Sequence, residues 1–223
     1  MDKLSTSIWE GDDYYSIPEE IFNQLPAKVR APLDEIMKNG TEALEDVKHE
    51  LDSFISLIKL IPTTSSLSYI YHRLRTTQFE ATTEAMMEQE MLTTAFVVTY
   101  ARLFTKGNGI FVLQRNDIPA HLRDIHDELY KIRNERYAHN GGHESIDTSV
   151  GFAFTGTQFH IKVQMSLGFH IGGRDEWEEL IKFIHALMHK RLGKILKRLK
   201  DRTGYEWFFP EGQVPGWVGK YGK

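Results

Sequence analysis

Arg133 and His139 are the residues of this sequence whose types and spacing best suit chemistry at a phosphate group. They stand six positions apart in the run KIRNERYAHN, residues 131–140. Arginine presents a planar fork of donors that matches phosphate oxygens, and it keeps its charge at neutral pH. Histidine titrates near neutral pH, so it can accept or donate a proton. If the fold brings the two side chains together, the pair could bind a phosphate and supply an acid–base group.

A purely structural interpretation of the same residues stays open at this point. Arg133 and Arg136 can form ion pairs with nearby acids such as Asp127 or Glu128. His139 can stabilise the carboxyl end of its helix, where the helix dipole favours a positive charge. In that case the motif holds the fold together and performs no reaction.

Helical geometry does not by itself bring the two residues together. Residues six apart in a regular α-helix lie about 9 Å apart along the axis and about 120° apart around it. Three arrangements could still join Arg133 to His139: the reach of the long arginine side chain, a last turn loosened by Gly141-Gly142, or pairing with the histidine of a second subunit. The spacing does not decide between them.

The motif closes a predicted helix. Asp117 can cap its start, Pro119 suits its first turn, and the helix is expected to run to Gly141-Gly142. Its apolar residues follow the spacing of an amphipathic helix: Leu122, Ile125, Leu129 and Ile132.

Elsewhere the sequence predicts a mainly α-helical protein with one β-hairpin. The other helices are expected to begin at or near these residues: Ala27, with a stop at Asn39-Gly40; Thr41, with an end at Pro62; Ser65 or Ser66; Thr83; and Arg174. Alternating runs at 150–154 and 159–165, separated by Thr155-Gly156-Thr157, predict the hairpin.

The chain divides into three predicted parts. An N-terminal arm covers residues 1–26, and a helical domain covers 27–202, with the hairpin near 148–166. A tail follows at 203–223, rich in Gly, Pro and aromatic residues. So many aromatic side chains favour docking of the tail onto the domain or a partner.

The motif resembles the signature of the HEPN superfamily of small helical proteins. In that signature an Arg, usually followed by a polar residue such as Asn, precedes a His by a short gap. Here Arg133-Asn134 precedes His139 with five residues between Arg and His. Tyr137 and Ala138, directly before His139, make the run similar to the abortive-infection branch of the superfamily.

The resemblance implies a fold, an activity and a set of roles. The fold would be an HEPN-like helical bundle with an inserted β-hairpin. The activity would be metal-independent cleavage of RNA by a homodimeric endoribonuclease, a toxin or antiphage effector whose two motifs meet across a two-fold axis. Arg133, Asn134 and His139 would be catalytic, and Arg136 and Asn140 would help to bind substrate. A non-catalytic HEPN-fold module that binds RNA, nucleotides or protein is the alternative.

The charge of the chain is unevenly distributed. The net charge is −4, yet residues 189–202 contain seven bases and one acid, whereas residues 1–60 contain thirteen acids and six bases. A basic segment can hold a polyanion such as RNA, with Lys194 and Lys197 as predicted contacts. The alternative is a solvated helix face that complements the acidic half of the chain.

No metal or cofactor is expected. His185 and His189 stand four apart, but no adjacent acid completes a zinc-protease pattern, and the chain contains no cysteine. The first ten residues lack the pattern of a secretory signal, and the longest apolar stretches are too short to span a bilayer. A cytoplasmic protein is therefore expected, with RNA, a second copy and an antitoxin or regulatory protein as partners.

Overall fold

The computed structural model describes residues 9–11, 14–78, 80–107, 109–137, 146–167 and 172–209. Over these ranges the chain is mainly helical, as predicted, with two small antiparallel two-stranded sheets. The elements, in chain order, are β1 (Trp9–Gly11), β2 (Tyr14–Ser16), α1 (Glu19–Phe22), α2 (Ala27–Asp46), α3 (Lys48–Ile58), α4 (Ile61–Thr76), α5 (Thr83–Arg102), α6 (Arg123–Ile132), a π-helical turn (Arg133–Tyr137), β3 (Ile146–Phe154), β4 (Phe159–Leu167) and α7 (Asp175–Thr203).

The core lies between α4, α5, α6 and α7. Phe96 of α5 stacks on Trp177 of α7 with ring centroids 4.6 Å apart. Both rings are fully buried, together with Leu74 of α4 and Leu129 of α6. Side chains from α3 complete this core on one flank. In the described residues no helix is both long and apolar enough to cross a membrane.

Two predicted helix ends in the first half of the chain are wrong. The helix that begins at Ala27 continues through Asn39-Gly40 to Asp46. One glycine weakens a helix by about 1 kcal/mol but does not end it. Pro62 does not end a helix either; it lies in the first turn of α4. Proline is favoured there because the first-turn N–H groups have no partner within the helix.

The apolar residues of α2 are largely exposed. No residue of α2 is buried, and Val29, Ile36 and Met37 are each at least half exposed. Their spacing places them on one face of the helix, but spacing does not show which surface packs against that face.

The helix that carries the motif starts later than predicted. Two short 3₁₀ turns, Arg115–Asp117 and Ala120–Leu122, precede α6, which begins at Arg123. The carboxylate of Asp117 accepts a hydrogen bond from the backbone N–H of Gln114 at 2.8 Å, so Asp117 closes a 3₁₀ turn and does not cap α6. The regular helix then ends at Ile132 and passes into the π-helical turn.

The predicted hairpin is confirmed and is slightly longer than expected. Strand β3 pairs antiparallel with β4, and Phe152 lies opposite Ile161. The backbone N–H of Thr155 donates to the carbonyl of Gln158 at 3.0 Å and closes the turn. Gly156 has a φ of 94°, a conformation that only glycine adopts without strain.

The beginning of the aromatic tail docks on the domain. The Trp207 indole N–H donates to Thr203 Oγ1 at 3.0 Å. Phe209 packs edge-on against Phe54 of α3, with ring centroids 6.1 Å apart. The tail beyond Phe209 lies outside the described residues.

Candidate functional site

The predicted motif lies on the π-helical turn Arg133–Tyr137 that extends α6. In such a turn each N–H reaches back five residues, so the turn is wider than in an α-helix. Arg136 and Tyr137 are directed at α5, and burial raises the pKa of the Tyr137 hydroxyl. Arg133 and Asn134 lie on the more open side. Short π-helical turns are frequent at functional sites.

Arg136 forms a buried ion pair. Its Nη2 lies 2.5 Å from Oε2 of Glu90 on α5, and only 1% of its side chain is exposed. Its guanidinium carbon also lies 5.3 Å from the centre of the Tyr137 ring. In this arrangement Arg136 fastens the turn to α5, and its side chain is not accessible to a substrate.

Arg133 has different surroundings. Its Nη1 donates to the side-chain oxygen of Asn134 at 2.8 Å. Among the described residues no carboxylate lies within ion-pair distance of Arg133. Its five-donor fork therefore keeps directions open for an anion.

The acids that could have neutralised Arg133 bind other arginines. Asp127 accepts two hydrogen bonds from Arg115, at 2.8 and 2.5 Å, and these hold the pKa of the Asp127 carboxyl below its ordinary value. Glu128 accepts two from Arg174, at 2.5 and 2.6 Å. The ion pairs proposed between these acids and the motif arginines are therefore not formed.

A cleft of about 500 Å³ opens beside the motif. Of the predicted site residues that the structure describes, Asn134 alone lines this cleft. The remaining lining combines rings, amides and charges: Phe104, Leu113, Gln114, Arg115, His126, Asp127, Tyr130 and Lys131. Sequence reasoning missed this cleft because four of its nine lining residues come from the segment 104–115, which lies between helices α5 and α6.

His126 gives the cleft a histidine that the sequence did not single out. Its Nδ1 and the Tyr100 hydroxyl lie 2.6 Å apart and share a hydrogen bond. Burial lowers the pKa of His126 and raises that of Tyr100. The imidazole also packs edge-on against Phe104, with ring centroids 4.6 Å apart. A neutral, buried and hydrogen-bonded histidine of this kind supports the wall of the cleft.

His139 and Asn140 lie outside the described residues, so the structure gives no distance between Arg133 and His139. The structure thus brings Arg133 and Asn134 together on an open surface. It places Arg136 apart from them, in the contact with α5.

A second opening, a groove of about 570 Å³, lies between α3 and α7. Lys194 lines it, whereas Lys197 is exposed on α7 outside it. Its lining is rich in bases and hydroxyls: His49, Asp52, Ser53, Ser56, Leu57, Phe111, Arg191, Lys194, Ile195 and Arg198. Lys194 and Arg198 form no ion pair within the described part of the chain.

Other bases of α7 pair with acids of the same molecule. Arg202 binds the Glu50 carboxylate at 2.7 Å, and Arg191 binds Asp117 at 2.6 Å. Part of the basic segment therefore complements the chain's own acids, which was the alternative to RNA binding. Lys194 and Arg198 are the bases that remain available in the groove.

Comparison of this chain with protein-family models, with curated proteins and with solved structures gave no match.

Proposed function

We propose that this protein is a metal-independent endoribonuclease of the HEPN type. Arg133 holds the scissile phosphate, and His139 acts as the acid–base group. The observation that supports this proposal best is the state of Arg133. Within the described residues no carboxylate pairs with Arg133, whereas Glu90, Asp127 and Glu128 each bind another arginine.

The proposed reaction uses the nucleophile that RNA itself carries. The 2′-hydroxyl attacks the adjacent phosphorus, so that an O2′–P bond forms as the P–O5′ bond breaks. The products are a 2′,3′-cyclic phosphate and a 5′-hydroxyl end. A proton leaves O2′ and another reaches O5′, and His139 serves one or both transfers. The Arg133 fork stabilises the charge that gathers on the non-bridging oxygens.

Asn134 has a positioning role in this proposal. Its side-chain oxygen accepts from Arg133, which fixes the direction of the guanidinium, and its position at the cleft edge lets it meet the RNA as well. The toxin or antiphage role follows from the resemblance of the motif alone.

The test is cleavage of total RNA and transfer RNA in excess EDTA. We expect the wild type to cut and His139→Ala to lose at least about a hundredfold in rate, since general acid–base groups contribute that much. Arg133→Lys keeps the charge but loses the fork, so a loss of similar order is expected. The ends should carry cyclic phosphate and 5′-hydroxyl groups.

A matched control separates chemistry from folding. Arg30→Ala removes an arginine from α2 that pairs only loosely with Asp34, at 3.7 Å, and it should cleave like the wild type. Circular dichroism should show the same helix content for every variant. Full activity of His139→Ala would refute the assignment of the acid–base group.

One observation favours a second function, a non-catalytic RNA-binding module. Lys194 and Arg198 project from successive turns of α7 into the groove, beside the Phe111 ring over which the Arg191 guanidinium lies at 4.6 Å. Phosphates would meet the side chains of Lys194 and Arg198.

Charge reversal tests this second function. Lys194→Glu and Arg198→Glu should each weaken single-stranded RNA binding about tenfold at low salt, because each removes a phosphate contact and adds repulsion. Lys197→Glu changes the net charge equally outside the groove and should have a much smaller effect. Fluorescence anisotropy with a labelled RNA measures both. Equal losses for all three variants would indicate a diffuse electrostatic attraction and no defined groove.

A further inference from the structure

The hairpin β3–β4 carries an exposed apolar face. Three cross-strand pairs form this face, Val150–Val163, Phe152–Ile161 and Phe154–Phe159. Their six side chains are between 52% and 73% exposed. Because side chains alternate along a strand, all six project from the same side of the hairpin.

The opposite face has a different composition. Its residues in the same stretch are Ser149, Gly151, Ala153, His160 and Lys162. These residues are small or polar and suit contact with water. The hairpin is therefore amphipathic, as a strand pair is when one of its faces packs against another layer.

No helix packs along the hairpin within the described residues. A two-stranded hairpin alone is at best marginally stable in water. Six partly exposed side chains of this size present on the order of 600 Å² of apolar surface, as much as the largest patches on typical monomers. We therefore expect another apolar surface to pack against this face.

We propose that this surface belongs to a second copy of the chain. The apolar faces of two hairpins pack against each other across a two-fold axis. The face carries no charge, so it specifies neither an acidic nor a basic partner and meets its own copy without repulsion. Stacking two such faces would bury about 1,200 Å², which lies at the lower end of specific protein interfaces. The four strands form a small two-layer sandwich.

This interface goes beyond the nuclease proposal and does not depend on it. It also bears on the motif, because β3 begins nine residues after Tyr137. Nine residues span at most about 30 Å, so each motif lies within that distance of the start of its own hairpin.

The absence of cysteine from the chain allows a direct test. Single cysteines are placed on the apolar face of β3 by Val150→Cys, Phe152→Cys and Phe154→Cys. Matched controls on the opposite face are Ser149→Cys, Gly151→Cys and Ala153→Cys. With a short bismaleimide reagent we expect covalent dimers at the apolar positions and little product at the controls, a yield that alternates with period two along the strand.

Sedimentation velocity gives an independent readout. The wild type should be a dimer at micromolar concentration. Phe152→Thr with Ile161→Thr, which keeps residues favoured in strands, should be a folded monomer by circular dichroism. Ala153→Thr with His160→Thr changes the facing pair on the other side and should remain a dimer.

Three outcomes would overturn the interface: a monomeric wild type, cross-linking without alternation, or a dimer that survives the Phe152→Thr and Ile161→Thr changes. A monomeric wild type that co-sediments with phosphatidylcholine vesicles would identify a lipid surface as the occupant instead. RNA cleavage by the same variants separates the two proposals. A monomer that still cuts RNA leaves the nuclease intact, and a dimer that never cuts leaves the interface intact.

Discussion

At the scale of single residues, Arg133 and Arg136 of the same motif differ in burial and in the side chains that they contact. They are three positions apart, yet Arg136 is buried against Glu90 of α5, while Arg133 binds Asn134 on the open side. The sequence marks both as arginines near acids. It cannot show that the partner of Arg136 stands 46 residues earlier, because only the packing of α6 on α5 brings Glu90 to it.

This difference predicts separable effects on stability. Arg136→Ala should lower the free energy of unfolding by about 2–3 kcal/mol, since it leaves Glu90 partly buried without its cation. Arg133→Ala should lower it by less than about 0.5 kcal/mol, as for an ordinary surface position. Urea denaturation followed by circular dichroism measures both. Equal losses of unfolding free energy would mean that the two arginines contribute equally to stability, contrary to this prediction.

At the scale of elements, the repeat of the apolar residues decides what the sequence can predict. The long helix α7 and the β3–β4 hairpin are close to their predicted bounds, because periods of 3.6 and 2 are local signals. The 3₁₀ turns before α6 and the π-helical turn after it were not predicted. Their hydrogen bonds depend on neighbours such as Gln114 and Glu90, which no periodicity reveals.

Two glycines provide a test at this scale. Gly40 lies inside α2, where an added Cβ would meet no atom within 4 Å, so Gly40→Ala should stabilise α2 by about 0.5–1 kcal/mol. Gly204 ends α7 with a φ of 73°, so Gly204→Ala should destabilise that end by about 1 kcal/mol. Amide hydrogen exchange should slow in α2 for the first variant and quicken in the last turns of α7 for the second. Faster exchange in α2 of Gly40→Ala would show that the glycine is needed where it stands.

At the scale of the whole molecule, part of the candidate site could be predicted and part could not. The sequence identifies the motif and Lys194, because residue type and spacing carry that information. It does not identify the cleft beside Asn134 or the groove around Arg198. Their walls join segments far apart in the chain, such as His49 of α3 with α7.

Four titratable groups, on helices α3, α6 and α7, have pKa values shifted in the same direction. Burial lowers the pKa of His126, and burial together with His189 lowers that of His185. Hydrogen bonds from arginines lower the pKa of Asp127 and of Glu50. In each case the unfolded chain binds protons at a higher pH than the folded one, so acid favours unfolding.

Stability should therefore fall in two stages as the pH is lowered. The first stage begins below about pH 6.5, the ordinary pKa of histidine. There the unfolded chain gains protons that the buried imidazole of His126 and the half-buried imidazole of His185 do not bind in the folded chain. The second stage begins near pH 4.5 and 3.8, the ordinary pKa values of Glu50 and Asp127. It continues down to the lower pKa values that these carboxyls have in the folded chain. His126→Gln combined with His185→Gln should flatten the first stage and leave the second. His121→Gln, which changes a histidine that is mostly exposed, should alter neither. Urea midpoints measured from pH 7.5 to about 3.5 test this prediction. If the double variant loses stability between pH 7 and 5 as steeply as the wild type, His126 and His185 are not the source of the acid sensitivity.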